Sequence, residues 1–177
     1  IRGTLDTRDI LRCLFSVLHH TQLGIDHHFL QVLCWEGRRL VDAFGPPEVA
    51  DLLDLLSNVE YPPPAVMDLF DDLCRRRAGV VDALDLAGMS KCAKAIATIA
   101  SGTEATAEMA RMLAERIPDR LSTGGPHEVV RSTWALAVLD RNEVLTLDRT
   151  KKRRMLQVSH AHMPALEAED TQLSRIR

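Results

Sequence analysis

Gly45-Pro46-Pro47-Glu48-Val49 returns as Gly125-Pro126-His127-Glu128-Val129, and each copy opens an apolar stretch of similar length. Half of that offset also keeps register. Leu55, Leu56 and Val59 fall on Ala95, Ile96 and Ile99 and then on Ala135, Leu136 and Leu139, while Leu69 and Leu73 fall on Met109 and Leu113. The opening segment needs one extra residue to bring Leu14, Phe15, Ser16 and Leu18 onto Leu55, Leu56, Ser57 and Val59, a departure expected of a terminal unit. A period near 40 residues marks a supersecondary unit that cannot bury its apolar face alone and must stack on its neighbours.

Punctuation divides each unit in two. Asp6 or Thr7 is placed to cap a first helix through Leu18, and a loop over 21–26 leads to a second helix predicted from about 27 to 44. Pro46 suits the first helical position, where its missing N–H costs nothing, and Glu48 in the first turn complements the helix dipole. Val49, Leu52, Leu53, Leu56 and Val59 then form one apolar face at helical spacing. Tyr61-Pro62-Pro63-Pro64 ends that helix, because prolines remove donors and push the residue before them out of the α region. Val66, Leu69, Phe70 and Leu73 face inward on the helix that follows. The third unit is expected over about 89–100, with a turn at Ser101-Gly102-Thr103 and a second helix from 104 to about 116, stopped by Pro118. The fourth is expected over 128–140 and again near 144–158, with Gly124 and Gly125 as a C-cap and turn.

No stretch alternates apolar and polar residues with β-branched enrichment, so no strand is predicted. The predicted fold class is all-α: an α-solenoid of about four stacked helix-turn-helix repeats with a period near 40 residues. The repeat domain covers 1–158, in units of about 5–44, 45–84, 85–124 and 125–158, and an irregular polar C-terminal tail covers 159–177.

At 177 residues and 46% hydrophobic content the chain can bury a sizeable core. No apolar run approaches the ~18 to 20 residues that cross a bilayer, so no membrane insertion is expected. A net charge of -3 is not the global signature of a nucleic-acid binder. The mean hides an asymmetry, since residues 1–88 carry 8 basic and 14 acidic side chains and residues 89–177 carry 14 and 11. A polyanion would therefore meet the C-terminal half first. Cys13, Cys34, Cys74 and Cys92 form no C-x-x-C pair and read as buried thiols in a reducing compartment. A start at Ile1 with no signal-like apolar core behind it reads as a processed or partial N-terminus.

The stretch Val49-Ala50-Asp51-Leu52-Leu53-Asp54-Leu55-Leu56-Ser57-Asn58-Val59-Glu60-Tyr61-Pro62-Pro63-Pro64, followed by Val66-Met67-Asp68-Leu69, resembles an octotricopeptide-type repeat, in which an apolar helix ends in an aromatic and prolines before its partner. Ser132-Thr133-Trp134-Ala135-Leu136-Ala137-Val138-Leu139 is similar to the Trp-Ala-Leu-Ala core of the same repeat. Related arrays occur in heptatricopeptide and FAST-kinase-like proteins of mitochondria and plastids, and the resemblance spans roughly residues 5–158. Asp54 and Lys94 depart from it in the column of Trp134, and no endonuclease-like domain follows. The resemblance implies an organelle protein, in the mitochondrial matrix or alternatively a plastid, that binds RNA through stacked helix pairs. It would act as a transcript-specific factor or as a structural subunit of a mitochondrial ribosome contacting rRNA.

The residues offer candidates for that contact. Arg149 and the run Lys151-Lys152-Arg153-Arg154 lie in a segment, 141–154, with six basic and two acidic side chains, enough to release several counterions on RNA. The plainer meaning is a helix end whose cations suit the dipole. The run holds no aromatic, which favours phosphate contact over base stacking. Arg75-Arg76-Arg77, with Arg38-Arg39 in the corresponding region of the first unit, is expected to align along one ridge, although Asp71 and Asp72 stand one turn earlier and can pair with them. Lys91, Lys94 and Arg131 place further charge on first helices, and isolated surface cations are commonplace. Trp134 is expected to fill the seam between helices rather than stack on a base.

His19-His20, His27-His28, Cys13 and Cys34 invite a zinc reading, but adjacent histidines on a helix point ~100° apart, so no metal is expected. The acidic pairs Asp51 with Asp54 and Asp68 with Asp71 read as solvated helix faces. No nucleophile elbow, phosphate-binding glycine loop or H-E-x-x-H is present, so neither an enzyme nor a cofactor is expected. Two functions remain open. One is RNA binding inside a large assembly; the other is a protein–protein scaffold or accessory subunit of another large organelle complex without direct RNA contact.

Overall fold

A computed structural model describes residues 5–19, 27–99 and 102–174, apart from the side chains of His19, His27, Arg77 and residues 163–174. Among the described residues the chain is all-helical, with no strand. Helices α1 (Thr7–His19) and α2 (His27–Arg39) form the first pair, and α3 (Pro46–Leu56) and α4 (Pro64–Arg75) the second. A short α5 (Arg77–Val81) leads to α6 (Leu86–Ile99) and α7 (Glu104–Arg120), and α8 (Pro126–Arg141) and α9 (Arg149–Ser174) close the order.

The starts follow from side-chain chemistry. Asp6 is the cap of α1: its Oδ1 accepts the Asp9 N–H at 2.8 Å, and Asp9 reaches back to the Asp6 N–H. Gly45 and Gly125 hold the same extended backbone before Pro46 and Pro126, and the Gly45 N–H donates to the Glu48 carboxylate at 2.8 Å. Thr103 caps α7 by accepting the Thr106 N–H. Gly124 has an ordinary negative φ, so it is no left-handed C-cap. A Cβ there would stand 2.1 Å from Leu86 Cδ2, so a side chain at this position would require Leu86 to shift.

Several boundaries differ from the sequence expectation. Helix α2 stops at Arg39, where the Leu40 N–H is shared between the Glu36 and Gly37 carbonyls and the chain tightens into a 3-10 turn over Val41–Ala43. Helix α7 runs through Pro118 to Arg120, because a proline in the last turn forfeits one hydrogen bond while its ring is buried in the core. Residues 144–148 are not helical: Leu145 and Leu147 are buried, Thr146 between them is exposed, and Asp148 caps α9 by accepting the Lys151 N–H at 2.8 Å. The expected irregular tail is helical as far as Ser174. Lack of an apolar stripe is no bar to a helix, and Ala161, Ala165, Leu166, Glu167, Ala168 and Glu169 are all strong helix formers.

Packing follows two rows. The first helices touch in the order α1, α3, α6, α8, and the second helices in the order α2, α4, α7, α9. One apolar core runs between them, built from the columns that recur every forty residues: Leu56, Ile96 and Leu136 are buried in one row, Leu69 and Met109 with Leu73 and Leu113 in the other. Among the described residues no helix is long and apolar enough to cross a membrane.

Candidate nucleic-acid interface

Six of the ten basic residues singled out in the sequence hold acidic partners. Arg38 Nε and Nη1 reach Asp72 and Asp68 at 2.7 Å each, and the hydrogen bond to Asp72 raises its guanidinium pKa further. Arg75 pairs with the same Asp72, so Arg38 and Arg75 converge on one carboxylate. Arg39 holds Glu36 one turn away at 2.9 Å. Arg76 turns inward to the first unit, donating through Nη1 to the Val41 and Phe44 carbonyls at 2.6 Å, with Asp42 at 3.9 Å. The Arg77 side chain lies outside the described residues.

These pairs repeat with the chain's own period. Arg76 faces Asp42, and forty residues on Arg116 faces Asp82 at 2.9 Å; Arg154 faces Asp119 at 2.7 Å in the next step. Arg120 donates to the Leu84 carbonyl at 2.7 Å, as Arg76 does to Val41 and Phe44. In the first-helix row Lys91 holds Asp51 at 2.6 Å and Lys94 holds Asp54 at 2.8 Å, each pair separated by one period. Asp51 and Asp54, read from the sequence as a solvated face, are therefore the acceptors of the next unit's cations, whereas Asp68 accepts from Arg38 of the preceding unit and Asp71 lies 4.0 Å from Arg75 of its own helix. Such half-exposed pairs are each worth ~0.2 to 1 kcal/mol, too little to hold the fold but enough to favour this alignment of neighbours.

The C-terminal cluster differs. It stands at the start of α9, not at a helix end where cations complement the dipole, so its charge adds to the positive pole. Lys152 holds Asp140 at 2.8 Å; that hydrogen bond and a second from the Leu147 N–H keep the Asp140 carboxyl below the ordinary carboxylate range. Arg154 is taken by Asp119. Arg149 and Arg153 are exposed and Lys151 is half-buried, and none of the three has an ion pair among the described residues. Lys151 lines an open groove of about 390 Å³ with Arg111, Glu115, Glu143 and the non-helical backbone before α9.

Two more residues stand out on α8. Trp134 is 50% exposed and does not fill a seam, and Arg131 is exposed one turn before it on α8. The forty-residue column explains both: Asp51 and Lys91, like Asp54 and Lys94, neutralise each other, whereas Arg131 and Trp134 close those columns on the last first helix. The Trp134 exposure escapes the sequence reading because an indole in a helical stripe is usually core.

Among the described residues no group of three or more His, Cys, Asp or Glu is placed to hold a metal ion, and His19, His20 and the His27 side chain lie outside the described residues. None of the four cysteines forms a disulfide, and burial pushes the Cys34 and Cys92 thiols up to about 12. No family model matches the chain, and no curated protein or solved structure matches it either.

Proposed function

We propose that this chain is a non-catalytic α-solenoid of about four helix-turn-helix units that contacts RNA phosphates as one component of a larger ribonucleoprotein. The observation that carries the reading is the placement of Arg149, Lys151 and Arg153 at the positive end of α9, with no ion pair among the described residues. Arg131 and Trp134 add a guanidinium and an indole face on the adjacent helix, suited to an unpaired base. Of the other candidates, Arg38, Arg76, Lys152 and Arg154 pair with a neighbouring element, and Arg39 and Arg75 pair within their own helix. Arg38, Arg39, Arg75, Arg76, Lys152 and Arg154 are accordingly withdrawn from the contact set.

Magnitude argues for a subunit rather than an autonomous binder. Three phosphate contacts give a salt slope of only about -2 on single strands, against the 6 to 10 contacts of tight binders. An organelle ribonucleoprotein, the mitochondrial ribosome first among them, is the setting the repeat resemblance suggests. The test is fluorescence anisotropy with a labelled structured RNA across a salt series. Replacing Arg149, Lys151 and Arg153 together by Glu should cost at least about tenfold in affinity and flatten the salt slope by about two. Equal affinity for variant and wild type would end the RNA reading.

A second reading, a protein scaffold, draws on the internal pairing of six of the ten candidate basic side chains. In that case RNA affinity would be negligible for both proteins, and the chain would sediment in an RNase-resistant assembly.

A further inference from the structure

In the second, third and fourth units the first helix is joined to its partner through one residue of left-handed backbone. These residues stand about one period apart: Tyr61 at φ 55°, Gly102 at 66° and Glu143 at 59°. After Tyr61 and Gly102 the second helix starts almost at once, at Pro64 and Glu104, but after Glu143 it starts only at Arg149. The fourth connection is therefore longer than the repeat requires. Its extra residues, 144–148, lead straight into Arg149, Lys151 and Arg153, which stand within the first turn and a half of α9. A residue with a Cβ, such as Glu143, keeps left-handed backbone only where its surroundings enforce it.

Asp140 stands at the centre of those surroundings. Its Oδ1 accepts the Leu147 N–H at 2.9 Å and its Oδ2 holds Lys152 Nζ at 2.8 Å, so one side chain of α8 ties both the extra segment and the first turn of α9 back to α8. The Val144 N–H closes on the Leu139 carbonyl at 3.0 Å, buried Leu145 and Leu147 anchor the segment in the core, and Asp148 caps α9. Of the two bonds Asp140 makes, the one to Leu147 fixes position, because a backbone donor cannot swing away as a lysine side chain can. We infer that Asp140 is a positioning residue for the phosphate contact: by holding the Leu147 N–H it sets the start of α9, and with it Arg149, Lys151 and Arg153, in one place against α8. The inference rests on the RNA reading of those three cations.

Charge alone gives the opposite expectation, since removing a carboxylate beside a phosphate site and freeing Lys152 should tighten RNA binding. Two substitutions separate the effects at constant charge. Asp140→Asn and Asp140→Ala both remove the carboxylate and free Lys152, but only asparagine keeps an oxygen that accepts the Leu147 N–H. In anisotropy titrations of the full chain with the same structured RNA, Asp140→Asn should bind at least as tightly as wild type. Asp140→Ala should bind at least about fivefold more weakly than Asp140→Asn, with a salt slope flatter by about 0.7, the loss of one phosphate contact on a single strand. Exchanging the Leu147 amide for an ester removes the donor, leaves Asp140 with Lys152, and should weaken binding at least about threefold, a test that stands even if Asp140→Ala does not fold. Ser159→Ala breaks the 2.8 Å hydrogen bond to Thr133 that joins the same two helices at their other end, and should stay within about twofold of wild type. Equal affinity of Asp140→Ala and Asp140→Asn would overturn the inference. So would an ester variant that binds like wild type, or a Ser159→Ala variant as weak as Asp140→Ala. Wild type that fails to bind RNA would overturn the RNA reading and this inference together, a result visible before any substitution is made.

Discussion

Arg76→Gln separates an arginine that joins two helix pairs from one that waits for a phosphate. Arg76 is about one quarter exposed, and its Nη1 donates to two carbonyls, Val41 and Phe44, across the joint between the first and second units. Hydrogen bonds from a charged donor contribute ~1.5 to 3 kcal/mol each, and the carbonyls left behind recover part of that from water. Asp42, almost fully exposed, adds nothing countable. The expected loss is therefore ~2 to 3 kcal/mol. Arg75→Gln is the control: its side chain is 61% exposed on the surface pair with Asp72, and its loss should stay within ~0.5 kcal/mol. Urea unfolding followed by helical circular dichroism should move the Arg76→Gln midpoint down by about 1 M, given a slope of ~2 kcal/mol per M. Amide exchange in α1 and α2 should rise selectively, because stacked units open at their ends. If the two variants shift the midpoint equally, the joint assigned to Arg76 is wrong.

Three further outcomes are expected. Asp140 has a lowered pKa from Lys152 and the Leu147 N–H, so the unfolded chain takes up its proton first on acidification; the stability it contributes is full above the ordinary Asp value of ~3.9 and is withdrawn as pH falls through the lowered folded one. Asp140→Asn should flatten the acid limb of stability between about pH 5 and pH 2, and an unchanged limb in urea melts would refute this. Gly124→Ala should cost ~1 to 3 kcal/mol by driving a methyl into Leu86, with Leu86→Ala in the same chain recovering part of the clash term; a neutral Gly124→Ala melt would contradict the close approach. Cys13, only half-buried, should react with a disulfide reagent first in native protein, and Cys34, Cys74 and Cys92 only on unfolding; prompt labelling of Cys92 would deny its burial.

The repeating columns were legible because burial and period are local facts of sequence. Leu56, Ile96 and Leu136 are apolar one period apart, and they are buried together. The starts of α3 and α8 were legible for the same reason, since a proline after an extended glycine speaks only to its own first turn. Boundaries set by longer reach were not. The end of α2, the passage of α7 through Pro118 and the non-helical 144–148 segment depend on which side chains the core accepts.

The candidate site shows the same division more sharply. The sequence puts ten candidate cations in view, and the placement of Lys91 and Lys94 one period after Asp51 and Asp54 was there to be read. A lone charge in a sequence does not reveal whether a carboxylate thirty or forty residues away stands within 3 Å of it, and only stacking decides that. Among the described residues it leaves Arg149, Lys151 and Arg153 without an acidic partner and engages Arg38, Arg76 and Arg154. The sequence by itself determined an all-helical chain with a forty-residue period and the faces its helices bury, because those follow from spacing along one helix. Tertiary structure alone decided which charges and which aromatics stay available to a partner, because availability depends on distances between helices far apart in the chain.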